Sequence, residues 1–86
     1  MASYSVEVSA TAEKQIRKLE RSEQVRVLRA ITALAHEPRP RGSRKLAGFD
    51  DVYRIRVGVL RVLYGIEGRR LLVIVLKVGQ RKDVYR

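Results

Sequence analysis

The chain has 86 residues, no cysteine and a formal net charge of +10, from 19 Lys and Arg against 9 Asp and Glu. This length predicts one small domain over residues 1–86. The lack of cysteine excludes disulfides and thiolate catalysis. No apolar run approaches the roughly 20 residues of a membrane-spanning helix, and the first residues lack a signal-peptide pattern, so we expect a cytoplasmic protein. The basic excess favours an anionic partner such as a nucleic acid, with solubility as the alternative.

The first half of the chain predicts one strand and two helices. Residues 4–8 alternate between apolar and polar types, which is typical of a strand. Ser9 is the expected N-cap of a first helix and Ser22 that of a second. The first helix repeats apolar residues at Ala12, Ile16 and Leu19, and the second has a predicted seam of Val25, Leu28, Ile31, Leu34 and Ala35. The proline-containing connector 37–43 ends this helical hairpin.

The second half predicts three strands joined by turns, beginning near Lys45. The last of them, residues 71–76, is apolar without alternation, which is typical of a central strand. Either a second polypeptide covers its second face, or the strand simply alternates weakly within a well-covered core. The expected fold is α+β with the order β-α-α-β-β-β, in which the helical hairpin packs on one face of a mainly antiparallel sheet.

Arginines stand where two of these strands should show an ordinary solvated face. If Gly58 and Val59 form a type II′ turn, Arg56 lies directly opposite Arg61 on that face, and Arg54 follows on the same side. Like charges directly opposed in a sheet destabilise it. A bound polyanion is the simplest reason for this arrangement.

Other chemistry has little support in the sequence. The single histidine, His36, lies at the predicted end of the second helix, where a structural or solvated role is expected. The acidic residues are scattered, and no spacing is typical of a metal site, a catalytic triad or a phosphate loop, so we expect no metal and no cofactor. Arginine instead suits phosphate binding and the stabilisation of growing negative charge. RNA supplies its own nucleophile, the 2′-hydroxyl, so cations and a tyrosine would suffice to cleave it.

The joint order and spacing of four segments resemble the RelE/ParE toxin superfamily, and the RelE branch in particular. These segments are residues 45–48, 53–56, 60–64 and 78–85. The resemblance implies a toxin of a type II toxin–antitoxin system that acts as a ribosome-dependent mRNA interferase. Such toxins cut mRNA in the ribosomal A site by 2′-hydroxyl attack and so inhibit translation. The implied partners are a cognate antitoxin, which forms a hetero-oligomer with the toxin, together with the ribosomal RNA and mRNA.

The resemblance also implies roles for individual residues. Arg61 and Arg81 match the family arginines that bind the scissile phosphate, and Tyr85 matches the tyrosine that stacks on the mRNA base and assists proton transfer. The expected RNA-binding residues are Lys45, Arg54, Arg56 and Lys82. The best-studied members carry lysines in place of Arg54 and Arg56, which leaves the general base open because arginine stays charged.

Two alternatives remain open from the sequence. A ParE-like toxin shares the fold but inhibits DNA gyrase by protein contact. A non-catalytic basic module would bind RNA without cleaving it. The joint presence of the two arginines and the late tyrosine favours the interferase over the ParE-like toxin.

Overall fold

The computed structural model describes residues 3–80 of the chain. Two helices and five strands follow one another in the order β1 Ser5–Val8, α1 Ala10–Arg17, α2 Arg21–Leu34, β2 Arg44–Lys45, β3 Val52–Val57, β4 Leu60–Glu67 and β5 Leu72–Gln80. The expected α+β order is confirmed, and the two-residue strand β2 is an addition to it.

The five strands form one mixed sheet in the order β1-β5-β4-β3-β2. Strand β1 pairs with β5 in parallel, and the other three pairings are antiparallel. The chain therefore enters at one edge, crosses over through the helical hairpin, and returns to build the rest of the sheet. This topology confirms the prediction that the last strand is an interior one, because β5 lies between β1 and β4.

Beyond the end of β1, helix α1 lies along the same side of β5 that β1 pairs with. The parallel pairing ends at Val8 and Val75, after which Ser9 caps α1 by accepting a hydrogen bond from the Ala12 amide. The same Ser9 hydroxyl donates to the Leu76 carbonyl over 2.9 Å. Further along α1, the Gln15 side-chain oxygen accepts from the Val78 amide over 2.7 Å. Side chains of α1 thus bond backbone groups of β5 that β1 no longer reaches.

Helix α2 corrects two of the sequence predictions. Its N-cap is Glu20, which forms a capping box with Glu23, so the predicted Ser22 cap was wrong. The buried residues of α2 are Val27, Ile31 and Leu34. The predicted seam was therefore wrong at Val25 and Leu28, whose side chains are 42% and 48% exposed. Helix α2 therefore has two apolar stripes. Packing on the sheet buries the stripe that contains Val27, Ile31 and Leu34 and leaves Val25 and Leu28 exposed.

The core lies between the helical hairpin and one face of the sheet. Its members come from both helices and from the inward face of β3, β4 and β5. Tyr64 is fully buried, stacks on Tyr53 with 6.1 Å between the ring centroids, and donates its hydroxyl to the Pro38 carbonyl over 2.8 Å. Both tyrosines are therefore packing residues, Tyr64 within the core and Tyr53 against it. Neither helix in residues 3–80 has the length and apolar content to cross a membrane.

Candidate nucleic-acid interface

The β3–β4 hairpin brings two guanidinium groups directly opposite each other. Val57 pairs with Leu60, and Arg56 pairs with Arg61. Gly58 has a φ of 61°, which is the positive φ that a type II′ turn needs at its first central position. The predicted register of the hairpin is therefore confirmed, and it follows from a turn that glycine adopts without strain.

A residue of α2 also contacts this turn. A Cβ atom added at Gly58 would lie 3.1 Å from the Arg26 guanidinium. Glycine is thus favoured at the turn by its backbone conformation, and the guanidinium of the exposed Arg26 lies close against it. The contact links the helical side of the molecule to the turn that sets the Arg56–Arg61 pairing.

A second row of cations crosses the sheet two residues further along. Arg44 of β2 pairs with Arg54 of β3, which pairs with Leu63 of β4, which in turn pairs with Lys77 of β5. Directly paired residues lie on the same side of a sheet, and the side chains at 54 and 56 share the side that faces away from the helices. We call this surface the basic face and define it as Arg44, Arg54, Arg56, Arg61 and Lys77.

The basic face has an apolar floor. Leu63 lies between Arg54 and Lys77 in the second row and is only 7% exposed, although it is outside the core on the helical side. Long basic side chains cover apolar neighbours with their aliphatic stems while their charged ends stay in water. Leu63 is thus a buried apolar position within the basic face, flanked in the register by Arg54 and Lys77.

Lys77 is a residue of this surface that the sequence analysis missed. Strand β5 pairs Leu63 with Lys77 but Tyr64 with Val75, so a bulge at Leu76 interrupts the alternation. The bulge turns Lys77 to the basic face and keeps Val78 in the core. A signal was present in the sequence, because Val73, Val75 and Val78 slip by one residue from a strict period of two.

The other predicted site residues are separated from this surface or lie outside the described residues. Lys45 pairs with Tyr53 and therefore lies on the opposite side of the sheet from Arg54, while its own side chain is exposed. Arg81, Lys82 and Tyr85 lie outside residues 3–80. Of the predicted set, the structure brings together Arg54, Arg56 and Arg61, and it adds Arg44 and Lys77.

Tyr53 and Tyr64 make contacts typical of structural residues and not of a group that transfers protons. Burial raises the pKa of Tyr64 to about 12, so its phenol stays protonated and holds the Pro38 carbonyl. The Tyr53 hydroxyl accepts a hydrogen bond from Arg39 Nε over 3.1 Å.

His36 is exposed just after the C-cap of α2, as expected for a solvated histidine.

The arrangement suits a phosphodiester better than a small anion. Successive cations along a strand face are about 7 Å apart, and neighbouring strands lie about 4.8 Å apart, so the two rows can contact adjacent phosphates of one nucleic-acid strand. The planar guanidinium of each arginine binds two phosphate oxygens at once.

Within residues 3–80, no group of three His, Cys, Asp or Glu side chains is placed to hold a metal ion.

Comparison with known proteins gives the class to which this fold and surface belong. The family profile described as the ParE toxin of the type II toxin–antitoxin system matches residues 6–85. The toxin RelG of Mycobacterium tuberculosis is 33% identical over 91 residues, which cover 96% of this chain and 97% of RelG. These matches define a toxin of a type II toxin–antitoxin system.

Solved structures agree with this class. The archaeal RelE–RelB complex from Pyrococcus horikoshii contains a chain that superposes with a TM-score of 0.82 at 30% identity, covering 94% of this chain and 97% of that one. An arginine-to-alanine double mutant of E. coli RelE in the free state also gives 0.82, at 25% identity, covering 96% and 90%. The chain belongs to the RelE/ParE toxin family.

Proposed function

We propose that this protein is a RelE-type, ribosome-dependent endoribonuclease that cleaves mRNA in the A site and so stops translation. The observation that carries the proposal is the basic face, in which Arg56 and Arg61 are directly opposed. Directly opposed like charges disfavour folding, and a polyanion bound to both guanidinium groups would offset that effect. Solved structures that carry the name RelE support the nuclease branch of the family.

In the proposed reaction, the 2′-oxygen of one ribose attacks the adjacent phosphorus. The 2′-hydroxyl loses its proton as a bond forms between O2′ and phosphorus. The bond from phosphorus to O5′ breaks and O5′ gains a proton, so that a 2′,3′-cyclic phosphate and a 5′-hydroxyl remain. Arg61 binds the non-bridging oxygens, whose negative charge grows in the transition state. Arg54 and Arg56 hold the neighbouring phosphates and align the backbone for in-line attack.

Arg81 and Tyr85 complete the proposed site by resemblance to the family. Arg81 is the second phosphate ligand, and Tyr85 stacks on the base and takes part in the transfer of the 2′-hydroxyl proton. Lys82 contributes an additional contact to RNA, whereas Lys45 lies on the opposite side of the sheet from Arg54 and takes no part in the proposed site. No step of this scheme uses a metal or an organic cofactor, and a site of action on ribosomes places the toxin in the cytoplasm.

A cognate antitoxin is the proposed protein partner. Several of the solved relatives are complexes of RelE with RelB. A protein with a net charge of +10 attracts an acidic partner, which would also shield the basic face from RNA.

The experiment that tests the nuclease combines purified protein with ribosomes programmed with a defined mRNA, followed by mapping of the new 3′ ends. We expect cleavage within the A-site codon and none of the same mRNA without ribosomes. A single 2′-deoxy substitution at the nucleotide before the cut should abolish cleavage, because it removes the nucleophile. Cleavage that survives this substitution would contradict the proposed chemistry.

Matched variants locate the activity on the proposed surface. The double variant Arg61→Ala/Arg81→Ala and the single variant Tyr85→Phe should lose cleavage and relieve growth arrest. Arg29→Ala removes an exposed arginine from α2 and should cleave normally. Full toxicity of the double arginine variant would contradict the proposal.

A gyrase-directed toxin is the second candidate, and the family profile that carries the ParE name favours it. The two functions separate in one assay of DNA gyrase supercoiling. Inhibition of supercoiling by this protein, without any cleavage on programmed ribosomes, would assign the ParE-type function.

A further inference from the structure

A glycine of β5 lies directly beside Arg61 on the side of the sheet that carries the basic face. Arg56 pairs with Arg61, and Arg61 pairs in turn with Gly79. This row therefore has guanidinium groups on β3 and β4 and a position without a side chain on β5. Directly paired residues have Cβ atoms roughly 4.5–5.5 Å apart, so a larger residue at position 79 would stand against Arg61.

The backbone conformation does not account for this glycine. Gly79 lies inside strand β5, and the glycines that have a positive φ in residues 3–80 are Gly42, Gly48 and Gly58. Any residue adopts the extended backbone of a strand, and β-branched residues favour it. A glycine within a strand weakens it and often marks a place where a ligand approaches the backbone closely. Gly79 therefore indicates such an approach beside Arg61.

Cations flank Gly79 in two directions. Arg61 lies across the strand pair, and Lys77 precedes Gly79 by two residues on the same strand. Val78 between them is buried in the core, so Lys77 and Gly79 share the side that faces away from the helices, about 7 Å apart. An anion that approaches the backbone at Gly79 thus lies within reach of a guanidinium and an ammonium group.

Side chains of α1 hold the segment that carries Lys77. The Ser9 hydroxyl donates to the Leu76 carbonyl over 2.9 Å, and the Gln15 side-chain oxygen accepts from the Val78 amide over 2.7 Å. These two bonds lie on either side of Lys77, at the bulge that turns it to the basic face. Contacts within the protein therefore set the position of this segment before any ligand binds.

We propose that the RNA backbone crosses the sheet over Gly79, with one phosphate between Arg61 and Lys77. Without a side chain at position 79, the sugar-phosphate chain approaches the strand closely enough for both cations to contact that phosphate. The inference rests on the proposed function, because it takes RNA as the ligand. It adds a residue whose small size controls how closely the RNA approaches Arg61.

Size variants at position 79 test the proposal. Gly79→Ala adds one methyl group, and Gly79→Val adds a branched side chain that strands favour. Binding to single-stranded poly(U) RNA should weaken progressively, by at least about tenfold for Gly79→Val, while Tm stays equal or rises. The rate of cleavage on programmed ribosomes should fall in the same order.

Gly65→Val is the matched control. Gly65 lies in β4 on the same side of the sheet, where its paired neighbours are the apolar Val52 and Ile74. A Cβ atom added at Gly65 would lie 3.8 Å from the Asp51 carbonyl oxygen, which is an ordinary van der Waals contact. RNA binding and cleavage by Gly65→Val should equal those of the parent protein.

A double-mutant cycle separates a shared RNA contact from a general structural effect. Lys77→Gln should lower the logarithmic salt slope of poly(U) binding by about 0.7, because one phosphate contact is removed. In the Gly79→Val background the same substitution should change neither the affinity nor the salt slope, because valine already keeps the phosphate away from Lys77. Additive effects of the two substitutions would overturn the proposal.

The outcomes separate this inference from the function on which it rests. Loss of RNA binding that grows with size at position 79 and is coupled to Lys77 supports the inference. Binding and cleavage by Gly79→Val at the level of the parent, or an equal loss in Gly65→Val, overturn it and leave the nuclease intact. If Gly79→Val does not fold, the cycle uses Gly79→Ala, and unchanged binding by that variant overturns the inference. Coupled loss of binding in a protein that does not cleave on ribosomes supports the inference and overturns the nuclease.

Discussion

Replacing Arg56 by glutamine should make the free protein more stable while weakening its binding to RNA. Arg56 and Arg61 are paired residues of an antiparallel hairpin, so their Cβ atoms lie roughly 4.5–5.5 Å apart. Glutamine keeps much of the aliphatic stem of Arg56 and removes its charge. The substitution therefore relieves repulsion with little change in the packing of neighbouring side chains.

The size of the gain follows from the distance that the two charged groups can reach. Guanidinium groups that splay to about 8 Å in water repel each other by about 0.5 kcal/mol. At physiological ionic strength the Debye length is about 8 Å, which reduces the repulsion to about 0.2 kcal/mol. For a domain of this size, about 0.5 kcal/mol corresponds to a rise in Tm of about 2–4 °C.

Thermal unfolding of Arg56→Gln and of the control Arg29→Gln, at low salt and at 1 M NaCl, measures this effect. We expect a rise in Tm for Arg56→Gln at low salt that disappears at 1 M, where the Debye length is about 3 Å. Binding to single-stranded RNA should lose about 0.7 from its logarithmic salt slope, because one phosphate contact is removed. A Tm gain equal to that of Arg29→Gln, or one that persists at high salt, would refute the argument from opposed charges.

Three further predictions concern the residues that position the basic face. Gln15→Ala should lower the free energy of unfolding by about 1–3 kcal/mol in urea titration, because the Val78 amide loses its acceptor; an unchanged midpoint would contradict this. Gly58→Ala should cost more stability than Gly48→Ala, since both have positive φ but only Gly58 has a side chain against it; equal costs would exclude a role for that contact. Tyr64→Phe should flatten the loss of stability between pH 10 and 12. The pKa of Tyr64 is raised to about 12 in the folded state, so its contribution to stability is complete below about pH 10 and is lost as the pH rises to 12. An unchanged pH profile of the free energy of unfolding would refute this.

The sequence predicted those features of the fold that depend on local geometry. The register that opposes Arg56 and Arg61 followed from Gly58 in a two-residue turn, and the α1 start followed from Ser9. In each case a short stretch of chain contains the physical cause, so no knowledge of tertiary packing was needed.

The features that the sequence did not reveal depend on packing between distant segments. Helix α2 has apolar residues at helical spacing on two stripes, and only contact with the sheet buries Val27 and leaves Val25 exposed. Its N-cap is Glu20 because Glu23 completes a capping box, whereas Ser22 is the better cap by residue type alone. The position of Lys77 depends on a bulge that α1 helps to fix through the Leu76 carbonyl.

The construction of the basic face explains why its charges are tolerated in a small domain. The side of β4 that faces the helices carries Tyr64 and Val62, both without exposed surface, so the strand that presents Arg61 is held by the core rather than by its outer side chains. Repulsion of a few tenths of a kcal/mol is small against the burial of one such side chain, which contributes about 1.5–3 kcal/mol. One side of β4 thus contributes core burial, and the other side presents the charges. A polyanion that binds only the folded state would stabilise that state and offset the repulsion between the arginines. If the proposed function is right, binding of RNA at Arg56 and Arg61 stabilises the folded state and offsets their repulsion.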